Sequence, residues 1–163
     1  MHSCKVRCCY VVLVVALAVA TSGCSWITSF IVLNYSANAL WVEYSVGGTD
    51  LYPHADPDSC QLGLHAPEVM PARSVKKGLP VDKMKPAKEF TLDRATCTLR
   101  VHLQANQGVM VWQASGFGEG YPIGVHRLIL EDGDGVLQYQ GTSLARVFQR
   151  RSRGLYVFPY GNK

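Results

Sequence analysis

From Thr96 to Gln104, apolar and polar side chains alternate without a break. Cys97, Leu99, Val101 and Leu103 fall on one face; Thr96, Thr98, Arg100, His102 and Gln104 fall on the other. Successive strand side chains point to opposite sides of a sheet, so a period of two marks a strand with one buried face. Ala105-Asn106-Gln107-Gly108 has the composition of a turn and leads into Val109-Met110-Val111-Trp112. That run is apolar on both faces, as a central sandwich strand is. The two runs are expected to form a hairpin.

The same grammar recurs along the chain. Phe30 to Tyr35 and Ala39 to Val46 read as a strand pair around Ser36-Ala37-Asn38, with Leu40, Val42, Tyr44 and Val46 on one face and Trp41, Glu43 and Ser45 on the other. Val125 to Glu131 and Val136 to Gln140 flank Asp132-Gly133-Asp134-Gly135. Ala145 to Arg150 and Leu155 to Pro159 flank Arg151-Ser152-Arg153-Gly154. About eight short, regularly punctuated strands and no amphipathic helix predict an all-β chain, a small β-sandwich (Ig-like or transthyretin-like) or a small barrel. Residues 52–88 interrupt the pattern with Pro53, Pro57, Pro67, Pro71, Pro80 and Pro86 and five lysines. They read as a long connection between sheets with a short edge strand near Ala72 to Val75, or as a mobile loop.

The first 23 residues have a different character. Lys5 and Arg7 form a positive head, followed by an apolar run from Tyr10 to Ala20. Eleven helical residues rise about 16 Å, roughly half the hydrocarbon thickness of a bilayer. A cleaved export signal fits better than a spanning helix. Thr21-Ser22-Gly23-Cys24 follows and resembles the bacterial lipobox, in which small residues precede a cysteine that becomes diacylated after cleavage; Thr21 stands where Leu is usual. The resemblance implies a signal over 1–23, lipidation (palmitate and related acyl chains) at Cys24, a short tether over 24–29 and a single β-rich domain over 30–163. Two or three acyl chains would anchor such a domain stably, whereas one is marginal. Ser25, rather than Asp, after the cysteine implies an outer-membrane lipoprotein facing the periplasm. Ala18-Val19-Ala20 also offers a cleavage site that would release a soluble protein, and an uncleaved anchor is a third outcome.

Cysteine arithmetic bears on that choice. A released chain would carry Cys24, Cys60 and Cys97, an odd number in an oxidising compartment. Lipidation of Cys24 leaves the pair Cys60 and Cys97, expected to form a structural disulfide closing 37 positions and worth about 4 kcal/mol in the chain-entropy model. No CxxC spacing supports a redox or metal role.

Charge and motifs narrow the function. Of 16 basic side chains, loss of Lys5 and Arg7 leaves 14 against 12 acidic ones, too mild a balance to point to nucleic acid. The 140 residues left after removing 23 from 163 suit one compact domain. No nucleophile elbow, zinc-protease motif, phosphate loop or dinucleotide fingerprint occurs, so no catalytic residue, metal or cofactor is expected. His54, Asp56 and Asp58 sit among prolines and read as a solvated turn. Asp132-Gly133-Asp134-Gly135 fails the calcium-loop pattern at Val136 and Leu137 and reads as a hairpin turn. Asn34-Tyr35-Ser36 matches a glycosylation acceptor by accident.

Two recognition candidates remain. In Ser115 to Pro122, three glycines free the backbone while Phe117, Glu119 and Tyr121 offer contact groups; alternatively both rings fold onto the core. Arg146, Arg150, Arg151 and Arg153 form a basic cluster that suits anionic headgroups or an acidic partner, or simply a solvated edge. The expected role is a membrane-anchored, non-enzymatic lipoprotein with a protein partner in a bacterial envelope assembly, similar in architecture to small sandwich lipoproteins such as the tethering subunit of type VI secretion. The alternative is a binding module or enzyme inhibitor resembling the lipoprotein inhibitors of lysozyme.

Overall fold

A computed structural model describes residues 26–46, 66–76, 78–116 and 124–161. The strands are β1 (Trp26–Asn34), β2 (Leu40–Val46), β3 (Glu68–Pro71), β4 (Lys85–Pro86), β5 (Phe90–Asp93), β6 (Thr98–Leu103), β7 (Gln107–Gly116), β8 (Val125–Asp132), β9 (Gly135–Gln140), β10 (Gln149–Ser152) and β11 (Leu155–Tyr160), with one helix, α1 (Thr142–Val147). They form two sheets, ordered β10-β11-β1-β7-β3-β4 and β5-β6-β2-β8-β9. The chain is an all-β sandwich; neither sheet closes into a barrel. The eleven strands exceed the eight expected by three: β3 and β4 from the proline-rich segment, and β5 just after it.

Alternation decides which faces meet. Leu40, Val42, Tyr44 and Val46 of β2, Leu99, Val101 and Leu103 of β6, and Leu128 and Leu130 of β8 are buried against Phe30, Val32, Val109, Val111 and Phe158 of the other sheet. Covering apolar surface in this way is the main favourable term in folding. The opposite face of the six-stranded sheet is buried as well. Ile31, Leu33, Leu155 and Val157 lie under Met70, Ala72 and Val75, with Leu79 and Met84 packed beside them. The described residues 66–76 and 78–88 therefore act as a cover over this face. Its strand lies at 68–71, with a 3-10 turn at 72–74 where the edge strand was expected. Pro71 caps that turn, and the Ala72 N–H is held by the Asn106 carbonyl at 2.7 Å.

Two expected hairpins are crossovers. β1 and β2 belong to different sheets, as do β6 and β7. A strand with one polar face fits a half-covered sheet, whereas a strand apolar on both faces needs the sheet covered twice. β6 is the first kind and β7 the second, so a tight turn joins them across the sandwich. Asn106 (φ 60°) supplies the left-handed residue this turn requires. The expected β8–β9 hairpin forms, pairing Asp132 with Gly135.

Three boundaries also move. Residues 142–147 are helical rather than extended, so the strand before the last turn starts at Gln149. Leu144 and Phe148, four apart, are buried together on the core side of the helix. Phe148 packs edge-on against Phe30 at 5.4 Å, so this stretch carries the chain from one sheet's edge to the other. At the N-terminal side, β1 already begins at Trp26, shortening the tether expected over 24–29. Cys97 lies in a turn with φ 47° rather than on the inner face of β6. Asp93 explains this: its carboxylate accepts the Ala95 and Thr96 N–H groups and the Thr96 hydroxyl, extending the turn to the residue before Thr98.

Candidate interaction surface

The outer face of the five-stranded sheet collects the polar half of each alternating strand. Trp41, Glu43 and Ser45 come from β2, Thr98, Arg100 and His102 from β6, and Ile129 and Glu131 from β8. Register places Trp41 directly between His102 and Glu131, and Glu43 between Arg100 and Ile129. No described element covers this face.

Trp41 is its centre. The His102 ring lies 4.6 Å away at 31°, and the Arg100 guanidinium carbon sits 4.6 Å above the indole. From there Arg100 donates to Oε2 of Glu131 at 2.7 Å, reaching across Trp41 to the far strand. Beside it, Arg127 donates to Oε1 of Glu43 at 2.8 Å. His102 Nδ1 stands 2.7 Å from Oε2 of Glu89. The arginines and glutamates of this cluster remain about a quarter to a half exposed. Such pairs contribute little stability, but they fix long side chains around a flat aromatic ring. Aromatic and arginine groups held rigid in this way are the residue types that dominate protein recognition.

Alternation alone placed the β2 and β6 side chains on a polar face. It did not show that β6, β2 and β8 lie side by side, which is what assembles the cluster. Opposite-charge partners on well-alternating strands are the one signal that sequence offers.

The expected sites fall elsewhere. Cys24, Cys60, Phe117, Glu119 and Tyr121 lie outside the described residues, as do His54, Asp56 and Asp58. Cys97 is disulfide-bonded, and it is the single cysteine among the described residues. Gly124, just after the glycine-aromatic loop, lies against the Trp112 ring of β7. A side chain at 124 would stand 2.3 Å from the indole, so the ring needs a glycine there. Trp112 Nε1 and His126 Nε2, on the flanking strands, are buried with no hydrogen-bond partner among the described residues. Of the arginines, Arg146 is on α1, Arg150 and Arg151 are on edge strand β10, and Arg153 is in the following turn. All four are exposed, and Arg150 and Arg153 hold contacts of their own.

Two other sequence matches are absorbed by the fold. Asp132 turns its carboxylate onto Asp134 and Gly135 N–H groups and the Tyr160 hydroxyl, as a hairpin turn does. Asn34, the acceptor of the glycosylation match, is fully buried, and its amide nitrogen donates to the Asn38 and Gln104 carbonyls. The described residues contain no group of three side chains able to hold a metal ion. No described helix is long and apolar enough to cross a membrane.

No known family, curated protein or solved structure matches this chain.

Proposed function

We propose that this chain is a lipoprotein anchored through Cys24 of Thr21-Ser22-Gly23-Cys24, and that its sandwich binds a protein partner in a bacterial envelope without catalysing a reaction. The address rests on the sequence: a short positive head, an apolar run too brief to span, and small residues before a cysteine. Outer-membrane attachment facing the periplasm follows from Ser25 on the same resemblance. A disulfide between Cys60 and Cys97 suits that compartment.

The observation that carries the binding role is the Trp41 platform. An indole in contact with His102 and Arg100, beside paired glutamates, offers an apolar centre with a polar rim. Protein interfaces have that anatomy. A photo-crosslinking residue at Ser45 or Thr98, in cells making the full chain, is expected to trap one defined envelope protein, and Trp41→Ala is expected to abolish the product. An empty crosslink from both positions, in material acylated at Cys24, would remove the partner role and leave the anchor.

A further inference from the structure

One end of the sandwich is fixed by the start of β1. Only Ser25 separates Cys24 from that strand in sequence. At about 3.6 Å per extended residue, Ile27 lies within about 11 Å of the Cys24 Cα atom. The β10–β11 turn stands at this same end. The Ser29 N–H donates to the Gly154 carbonyl at 2.8 Å, and Ser29 is level with Leu155, the first residue of β11. Gly154 (φ 74°) is so close to the Ile27 carbonyl that a Cβ would come within 2.3 Å of it. The turn therefore packs directly against Ile27 and is hydrogen-bonded to the Ser29 N–H.

What it presents is basic and apolar. Arg151 and Arg153 are exposed, and Ile27 is 59% exposed. The opposite end of the same strand pair differs in sign. β11 runs from Leu155 to Tyr160, whose hydroxyl meets Asp132 in a turn that also carries Asp134. That places an acidic turn roughly 17 Å along the strands from the basic one.

We propose that the Arg151–Arg153 turn is a headgroup contact, docking on the phosphates of anionic lipids in the bilayer that holds the chain. This rests on the anchor reading above and deepens it, since the anchored cysteine brings the turn to the polar layer of the membrane. Arginine donates in a planar fork that matches phosphate oxygens, and Ile27 adds an apolar side chain at the boundary. The acidic turn then faces away from the anionic surface, so the domain has a defined upright orientation.

The test uses the full chain purified in its acylated form and reconstituted in vesicles of phosphatidylcholine alone or of phosphatidylcholine with phosphatidylglycerol. Arginine modification by phenylglyoxal is followed by mass spectrometry, with Arg73 as the internal reference. Modification of Arg151 and Arg153 is expected to be about fivefold slower on the anionic vesicles, the weight one basic side chain carries at such a surface, and the difference should vanish in molar salt. Equal rates on both vesicles, with Cys24 acylated, overturn the contact while leaving the anchor. The same spectra report Cys24 itself, and an unmodified thiol there removes the anchor reading and this contact with it.

Discussion

The Tyr160 hydroxyl donates to Oδ2 of Asp132 at 2.5 Å, joining the last strand of the six-stranded sheet to a hairpin turn of the five-stranded one. This hydrogen bond holds the Asp132 carboxyl below its usual range, with help from the Asp134 and Gly135 N–H groups. Burial, then the neighbouring carboxylate, pushes the Tyr160 phenol up to about 12. Both shifts favour the same pair, a neutral phenol beside an ionised carboxylate. Tyr160→Phe keeps the ring and loses the bond, so it is expected to cost about 1 kcal/mol, less than a buried charged acceptor would because water reaches the carboxylate. Urea unfolding of the two chains at neutral pH measures it.

The same pair gives stability a dependence on pH. A phenol with a raised folded pKa contributes fully below its unfolded value of 10.0, and the contribution is lost as pH rises towards about 12. Asp132 has the opposite sign: its contribution is present above 3.8 and is lost as pH falls through the lowered folded value. Tyr44, raised by burial alone, adds to the alkaline loss. The informative quantity is therefore the difference in melting temperature between wild type and Tyr160→Phe. It is expected to be flat from pH 5 to 9 and to shrink at both extremes.

Asn34 pins both crossovers. Its amide nitrogen donates to the Asn38 carbonyl in the β1–β2 connection and to the Gln104 carbonyl in the β6–β7 connection. Its Oδ1 accepts the Ser36 N–H and hydroxyl. Both donor and acceptor are required, so Asn34→Asp, nearly isosteric, turns an oxygen towards two carbonyls. Asn34→Ala and Asn34→Asp are each expected to cost about 2–3 kcal/mol, since removing a buried partner strands the groups it served. A denaturation midpoint within error of wild type for Asn34→Asp would show that the crossovers hold without it.

These crossovers mark the limit of what the residues disclosed. Alternation located the cores of β2 and β6 and their buried faces, because one covered face imposes a period of two whatever the neighbours are; β8 was placed as a strand without a face. It could not tell a hairpin from a crossover, since Ala105-Asn106 reads as a tight turn in either case. The clue was the change from the one-faced β6 to the two-faced β7, which requires a sheet covered on its outer side. That cover comes from the proline-rich segment, where Met70, Ala72 and Val75 are spaced by no simple period. Helix α1 was missed because its six residues contain Leu144 as their one buried position. The Trp41 cluster was visible only as polar residues; its assembly needed strand order.

The disulfide at Cys97 gives a covalent test. Its strand begins one residue later, and the Cys97 carbonyl accepts the Val46 N–H at 3.2 Å, so the bond secures a turn attached to both β2 and β6. Cys60 is the expected partner. Peptide mapping without reductant should recover a fragment joining Cys60 to Cys97, and reduction should lower stability by about 4 kcal/mol for a loop of this length. Recovery of Cys97 joined to another cysteine would exclude that pairing.

Edge strands supply the last prediction. Of the four described sheet edges, β4 is Lys85 and Pro86, β10 carries Arg150 and Arg151, and β5 is four residues ending at Asp93. β9 differs. It is six residues, Gly135-Val136-Leu137-Gln138-Tyr139-Gln140, with neither a charge nor a proline, and Val136 and Leu137 are 61% and 44% exposed. In an antiparallel ladder half of an edge strand's N–H and C=O groups face outward, a template for another strand. Gln138 is exposed and lies opposite Ile129 on the outer face, so a lysine there meets no buried neighbour. Gln138→Lys is expected to leave stability within about 0.5 kcal/mol of wild type while suppressing concentration-dependent self-association, read by light scattering and sedimentation velocity. Undiminished association in that variant would show that the chains meet through another surface.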